Sequence, residues 1–257
     1  MILTRMNPIL KAMVKATVNP NLNAVMTGRS PAPRRTHGAL VQKLALVGVM
    51  AWAGTACVSV NTYSSARTLQ TGKIETRINP GFAKSSLSDI ALPFVPSMDV
   101  GIRYGVNGNF DFGVTVGQAG FTFDTKFQLA RNKNMAIALG PTLGGFFIGG
   151  GEAGGGFLNA AVPLIIGLNL NEKTELTFTP KLSLSTIAGA AGSASGSGGV
   201  IVPSVGVGLN LEIGPSFHLM PEASFGMATG FGEGSTGSLG PVVNFGLGIG
   251  FGGEYSH

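Results

Sequence analysis

The sequence predicts an all-β protein: a closed, antiparallel, up-and-down β-barrel of about ten strands that spans a membrane. Three observations carry this. From Lys73 onward, apolar and polar residues alternate with a period of two. The links between the alternating runs are by turns short and long. Charge is scarce, at 11% of 257 residues, where a soluble domain carries about a quarter.

The alternation comes first. Successive side chains of a strand point to opposite faces, so a period of two makes a ribbon with one oily and one polar side. Phe121, Phe123, Phe127 and Leu129 share a face opposite Thr122, Asp124, Lys126 and Gln128. Val100, Ile102, Tyr104 and Val106 oppose Asp99, Gly101, Arg103 and Gly105. Leu176, Phe178, Leu182 and Leu184 oppose Thr177, Thr179, Lys181 and Ser183. The runs fall at 73–83, 97–106, 109–117, 120–130, 135–147, 156–170, 174–186, 200–213, 217–228 and 238–252. Each is near the 9–11 residues, roughly, that cross a bilayer at a tilt, or somewhat longer.

The links come second. Asn107–Asn109, Arg131–Asn134, Asn171–Thr174 and Gly214–Ser216 are short and mostly polar. The segments 84–96, 148–155, 187–199 and 229–237 are longer and mostly glycine-rich, and read as outer loops. The link at Gln118-Ala119 is the short exception. Prolines 141, 163, 180, 203, 221 and 241 read as bulges or rim positions, since proline cannot donate to a ladder. The competing fold is a secreted soluble β-sandwich. It would have to hide most of 16 phenylalanines behind an outer face rich in glycine and poor in charge.

In a barrel the polar face is the lumen. It carries Glu75, Arg77, Asp99, Arg103, Asp111, Asp124, Lys126, Lys181, Glu212, His218 and Glu222. Both signs are present and the interior of so small a barrel is narrow, so ion pairs can fill it. The same residues could instead line a narrow pore. His218, Glu222 and Ser224 share one face of one strand, which invites comparison with lipid hydrolases. The histidine and serine are separated by about 20 Å at strand rise and make no direct dyad. No metal-ligating cluster stands out, and Gly149–Gly156 lacks the lysine and helix of a phosphate loop. No cofactor is expected.

The last run alternates Val243, Phe245, Leu247, Ile249 and Phe251 with Asn244 and glycines. It resembles the C-terminal signal strand of outer-membrane barrels, which the barrel assembly machinery reads. The tail 253–257 departs from that pattern, because the family usually ends on the aromatic. In pattern, residues 73–252 resemble the small outer-membrane barrels of the OmpA/OmpX type. That resemblance implies a Gram-negative outer-membrane location, with the assembly machinery and outer-membrane lipids as partners.

Ahead of the domain lies a leader, residues 1–56. Arg34, Arg35 and Lys43 flank an apolar run, Leu44–Ala56, too short to span a bilayer comfortably and suited to a secretory signal. Small residues then precede Cys57, the single cysteine. Ala53–Cys57 resembles the lipobox of bacterial lipoproteins, which implies a covalent lipid on Cys57. Ordinary cleavage near Ala56 and an uncleaved anchor are the competing readings. Translation from Met26 would leave a leader of ordinary length. Residues 57–72 then form the lipidated cysteine and a polar tether.

The leader also accounts for the net charge of +5. All 12 acidic residues but only 10 of the 17 basic ones follow Cys57, so the domain carries −2. A nucleic-acid partner needs a basic patch on the folded domain and is not expected. The leading expectation is a structural outer-membrane barrel lipoprotein, with a narrow passive channel as its extension. A dedicated diffusion pore for small polar solutes and a lipid-modifying hydrolase are the alternatives, besides the soluble sandwich.

Overall fold

The computed structural model describes residues 61–256, apart from 88–89, 92–93, 118–119, 151–152, 192–193, 215 and 233–236. Cys57 and the leader lie outside the described residues. The strands are β1 (Ile74–Leu87), β2 (Ile90–Ala91), β3 (Val95–Asn107), β4 (Phe110–Gly117), β5 (Gly120–Arg131) and β6 (Met135–Leu139). They continue as β7 (Thr142–Gly150), β8 (Ala153–Asn171), β9 (Thr174–Ala191), β10 (Ala194–Gly214), β11 (Phe217–Gly232) and β12 (Gly237–Gly252). Neighbouring strands of the wall pair antiparallel, and β12 returns to pair with β1 from Glu75↔Gly252 to Ser85↔Val242. The result is a closed barrel of 10 antiparallel staves. Closure matters because a strand edge left in lipid has no partner for its backbone N–H and C=O groups.

The barrel is inside-out. Phe121, Phe123, Leu143, Phe178, Leu182 and Phe245 point outward and stay exposed, while Glu75, Asp111, Lys126 and Glu175 point inward and are buried. β11 shows the alternation along most of its length, with His218, Met220, Glu222 and Ser224 inward and Pro221, Ala223 and Phe225 outward. β12, which the sequence likens to an assembly-signal strand, obeys the same parity. Phe245 and Phe251 face out at 49% and 45% exposure, and Asn244 faces in. An arginine placed outward near mid-bilayer costs roughly 2–4 kcal/mol. Phe245→Arg is therefore expected to lower unfolding stability in lipid vesicles by that amount, read from a urea titration. An unchanged midpoint would put Phe245 outside the hydrocarbon.

Four expectations are corrected. The run 135–147 is one stave but two strands, broken at Gly140-Pro141. Both β6 and β7 pair with β5 on one side and β8 on the other. The backbone stays satisfied through the break, with Thr125 N–H donating to Pro141 O (3.0 Å) and Gly140 N–H to Pro163 O (3.0 Å). The other prolines sit within strands. Register shifts instead fall near the short turns, at Gly105/Asn107, Gln128/Ala130, Asn169/Asn171 and Glu212/Gly214, and at Ala228/Thr229. Most of the glycine-rich stretches read as outer loops are ladder: Gly149↔Gly154 and Gly196↔Gly189 are paired. Backbone hydrogen bonds need no side chain, so runs of Gly, Ala and Ser extend the hairpins. β8, β9 and β10 reach 19, 18 and 21 residues and project past any bilayer on that side.

The fourth correction concerns the tether. Residues 61–69 are not a free linker outside the barrel. They lie inside it, and Asn61, Tyr63–Leu69 are buried.

Candidate functional site

The lumen is filled from its short-turn end by the chain's own N-terminal segment. Its depth rises as residue numbers fall. At the rim Gln70 N–H donates to Glu254 O (2.8 Å), and Thr68 Oγ1 donates to Gly108 O in the β3–β4 turn (2.7 Å). Slightly deeper, Glu175 of β9 accepts from Ser65 Oγ (2.6 Å), Ala66 N–H (2.7 Å) and Arg67 Nε (3.1 Å). Arg67 also reaches Glu212 of β10 (3.5 Å). Deeper again, Glu222 of β11 accepts from the N–H groups of Thr62 (2.8 Å) and Tyr63 (2.6 Å). Farthest in, Lys181 Nζ of β9 donates to Asn61 O (3.0 Å), and Ser224 Oγ donates to Asn61 Oδ1.

These contacts have one logic. An aperiodic segment in a lumen has no ladder partner, so its backbone must bond to inward side chains. Glu175 and Glu222 take its N–H groups. Lys126 of β5 takes its carbonyls, donating to Arg67 O (2.6 Å) and Ser65 O (3.2 Å). Asp111 of β4 accepts from Leu69 N–H (3.0 Å) and pairs with both Lys126 (3.4 Å) and Arg103. Arg103 of β3 also pairs with Asp124. Arg77 of β1 pairs with Glu75 (2.8 Å) and donates to Tyr63 O (3.0 Å).

The C-terminal tail closes the same end. Gly252 and Gly253, at φ +74° each, turn the chain inward after β12, a conformation that side chains with a Cβ rarely adopt. Leu69 and Tyr255 form an antiparallel bridge, and Ser256 N–H donates to Thr68 O (2.9 Å). Tyr255 packs edge-on against His218, with ring centroids 4.9 Å apart, and lies under Lys126 Nζ. Burial pushes its phenol well above the ordinary range, with Glu75 adding to the effect. Burial likewise pushes the Tyr63 phenol up to about 12, so both hydroxyls stay protonated hydrogen-bonding groups.

All eleven inward positions read from the sequence are on the inner face. Glu75, Arg77, Arg103, Asp111, Lys126, Lys181, His218 and Glu222 are buried, and Asp99, Asp124 and Glu212 are partly so. They converge on the plug instead of lining an open channel at this end. His218 Nε2 meets Gly253 O (3.1 Å) while Ser224 bonds Asn61, so the two stay apart. Glu175 was missed. Its parity with Thr177, Thr179 and Lys181 marks it as inward, but it sits beside a polar turn and reads as part of it. Arg67, Tyr63 and Tyr255 carry no signal of this kind, because no period places an aperiodic segment.

Above the plug lies a cavity of about 160 Å³, floored by Asn61–Ser64. Thr115, Thr122, Thr142 and Asn159 are among the residues of its walls. On the β10–β12 side, Val202, Ala228 and Val242 pack together on the inner face. Among the described residues no group of His, Cys, Asp and Glu is placed to hold a metal ion.

A closed antiparallel barrel with an apolar belt outside and a charged, hydrogen-bonded interior is the build of a membrane-spanning β-barrel. The chain has that fold. No family model and no curated protein matches it. Among solved structures it is similar to Ail, the attachment invasion locus protein of Yersinia pestis, at 13% identity and TM-score 0.36, over 71% of this chain and 99% of that one. It is similar to Neisserial surface protein A at 10% identity and TM-score 0.41, over 69% and 96%. The translocator domain of the autotransporter NalP from Neisseria meningitidis aligns at 14% and TM-score 0.43, over 84% and 99%. These likenesses concern the fold and carry no activity across.

Proposed function

We propose that the chain is a structural outer-membrane barrel that closes its own lumen, and not a through-pore. The observation that carries this is the set of hydrogen bonds between residues 61–70 and the inward charges of β1, β4, β5, β9 and β11. Groups that would select ions in a pore are spent on holding the plug.

Lipidation of Cys57 belongs to the same reading, with a geometric condition. Asn61 meets Lys181 and Ser224, well above the rim. A chain spans at most about 3.6 Å per residue, so the link from Cys57 to Asn61 reaches roughly 14 Å. A lipid held in the periplasmic leaflet would draw the start of the plug out of the lumen. A labelled Cys57 and a filled lumen are thus alternative states of one chain.

Planar-bilayer recording tests the proposal. The full chain is expected to show no steady conductance, and a variant lacking residues 61–70 is expected to conduct. Steady conductance of the full chain, reversed in selectivity by Lys126→Glu, would overturn it in favour of the diffusion pore. Fatty-acid labelling of wild type against Cys57→Ser reports which state the cell makes.

A further inference from the structure

The wall holds the plug in two different ways. Some contacts take only its backbone and accept any sequence. Asp111 accepts from Leu69 N–H, Glu222 accepts from the N–H groups of Thr62 and Tyr63, and Lys126 donates to the Ser65 and Arg67 carbonyls. Other contacts fit particular side chains, and these fall at Tyr63, Ala66 and Arg67.

Tyr63 sits in a socket cut into the wall. A Cβ placed on Gly246 of β12 would overlap the Tyr63 hydroxyl, and one on Gly81 of β1 would come within 2.7 Å of it. One on Gly248 would lie 3.1 Å from the Tyr63 Cβ. Glycines elsewhere on the inner face make room for the wall itself: a Cβ on Gly113 or Gly206 would meet the carboxylate of Asp124 or Glu222. The socket also satisfies each polar group of the tyrosine. Its N–H donates to Glu222 (2.6 Å), its carbonyl accepts from Arg77 (3.0 Å), and its hydroxyl accepts from Asn61 Nδ2 (2.6 Å). Among the described residues, Tyr63 is the one non-glycine residue at positive φ, at +43°. Such a conformation persists only where the surroundings over-determine it.

The other two positions follow three and four residues on. Ala66 is fully buried against Ala136 and Ile165. A Cβ on Gly167 would lie 2.9 Å from the Ala66 Cβ, a fit that leaves little space for a longer side chain. Arg67 reaches two carboxylates, Glu175 (3.1 Å) and Glu212 (3.5 Å).

We propose that the lumen is a sequence-selective receptor for an extended peptide of the pattern tyrosine-x-x-alanine-arginine, which the chain's own residues 63–67 occupy in cis. The inference rests on the plugged lumen and adds that the wall reads which segment fills it. A segment supplied by another chain is taken only if it carries these three side chains. In cis the tether sets an effective concentration on the order of millimolar, so a peptide in trans competes only once the resident segment is weakened.

The test uses the full chain carrying Tyr63→Ala and Arg67→Ala, which weakens the resident segment and leaves the wall intact. A fluorescent peptide with the sequence of residues 61–70 is titrated onto the folded barrel in detergent micelles and followed by anisotropy. Saturable binding is expected, at least tenfold tighter than to the wild-type chain, whose lumen is filled. Peptides carrying Tyr63→Ala or Arg67→Ala should bind about thirtyfold more weakly, the loss typical of truncating a buried anchor. Gly246→Ala in the barrel should erase the preference for tyrosine over alanine. Tyr63→Ala alone serves if the double variant lacks the gel shift of a folded barrel, and Gly81→Ala stands in for Gly246→Ala on the same ground. Equal binding of native and substituted peptides would overturn the selectivity. No saturable binding, or equal binding to the wild-type chain, would overturn the receptor. Conductance of the same variant reports the plug separately. A barrel that conducts yet binds no peptide keeps the plug and loses the receptor, and a silent barrel that binds the peptide selectively does the reverse.

Discussion

Glu175→Ala is expected to unplug the barrel. Its carboxylate is fully buried and holds three consecutive plug residues, Ser65, Ala66 and Arg67, at 2.6–3.1 Å. Removing it leaves the Ala66 N–H without its acceptor and takes from Arg67 its 3.1 Å carboxylate partner, with Glu212 farther off at 3.5 Å. Breaking a buried ion pair from one side costs about 3–5 kcal/mol. The plug can escape that cost by leaving the lumen, whereas the β-ladders cannot. The staves should therefore stay folded while residues 61–69 move out. Limited trypsin digestion should cut after Arg67 in the variant and spare it in wild type, and the variant should conduct in planar bilayers. Glu175→Gln keeps an acceptor without the charge and should fall between the two. Protection of Arg67 and a silent bilayer in Glu175→Ala would show that Lys126 and Glu222 hold the plug without help from Glu175.

Asp111→Ala should act differently, on the barrel itself. Asp111 is fully buried between Arg103 and Lys126 and also accepts the Leu69 N–H. Its loss strands two cations of the wall. Arg103 keeps Asp124, and Lys126 keeps the neutral plug oxygens Arg67 O, Ser65 O and Ser64 Oγ. Neither cation can leave, because each is fixed to a ladder strand. The expected result is a loss of about 3–5 kcal/mol in unfolding from lipid vesicles. The temperature at which the folded gel band is lost should fall with it. Asp111→Ala with Lys126→Met should recover part of the loss, since an apolar pair strands less charge. A single variant as stable as wild type would mean that water reaches Arg103 and Lys126.

The two variants separate what holds the plug from what holds the wall. Glu175 and Glu222 face the segment 61–67, whereas Asp111 joins β3, β4 and β5 through Arg103 and Lys126. Conductance without loss of the folded band reports the plug. Loss of the folded band at lower temperature reports the wall.

Much of this was legible in the sequence because strand parity is local. Whether Thr122 faces in or out follows from Phe121 and Phe123 beside it, whatever the rest of the chain does. The closed barrel, its ten staves and the inward side of Lys126, Asp111, His218 and Glu222 follow from that rule and from alternating link lengths. Glu175 obeyed the same rule and was hidden only by the turn next to it. Other features depend on closure and only the tertiary structure decided them. Residues 61–69 have no period, and their place was set by inward groups from six strands that meet only when β12 pairs with β1. The tail 253–256 turned inward because Leu69 and Thr68 stood there to receive it. The Gly140-Pro141 break is tolerated because Thr125 and Pro163 on neighbouring strands restore its hydrogen bonds. Side-chain parity is a property of adjacent residues, whereas plug and tail are properties of strands brought together from across the chain.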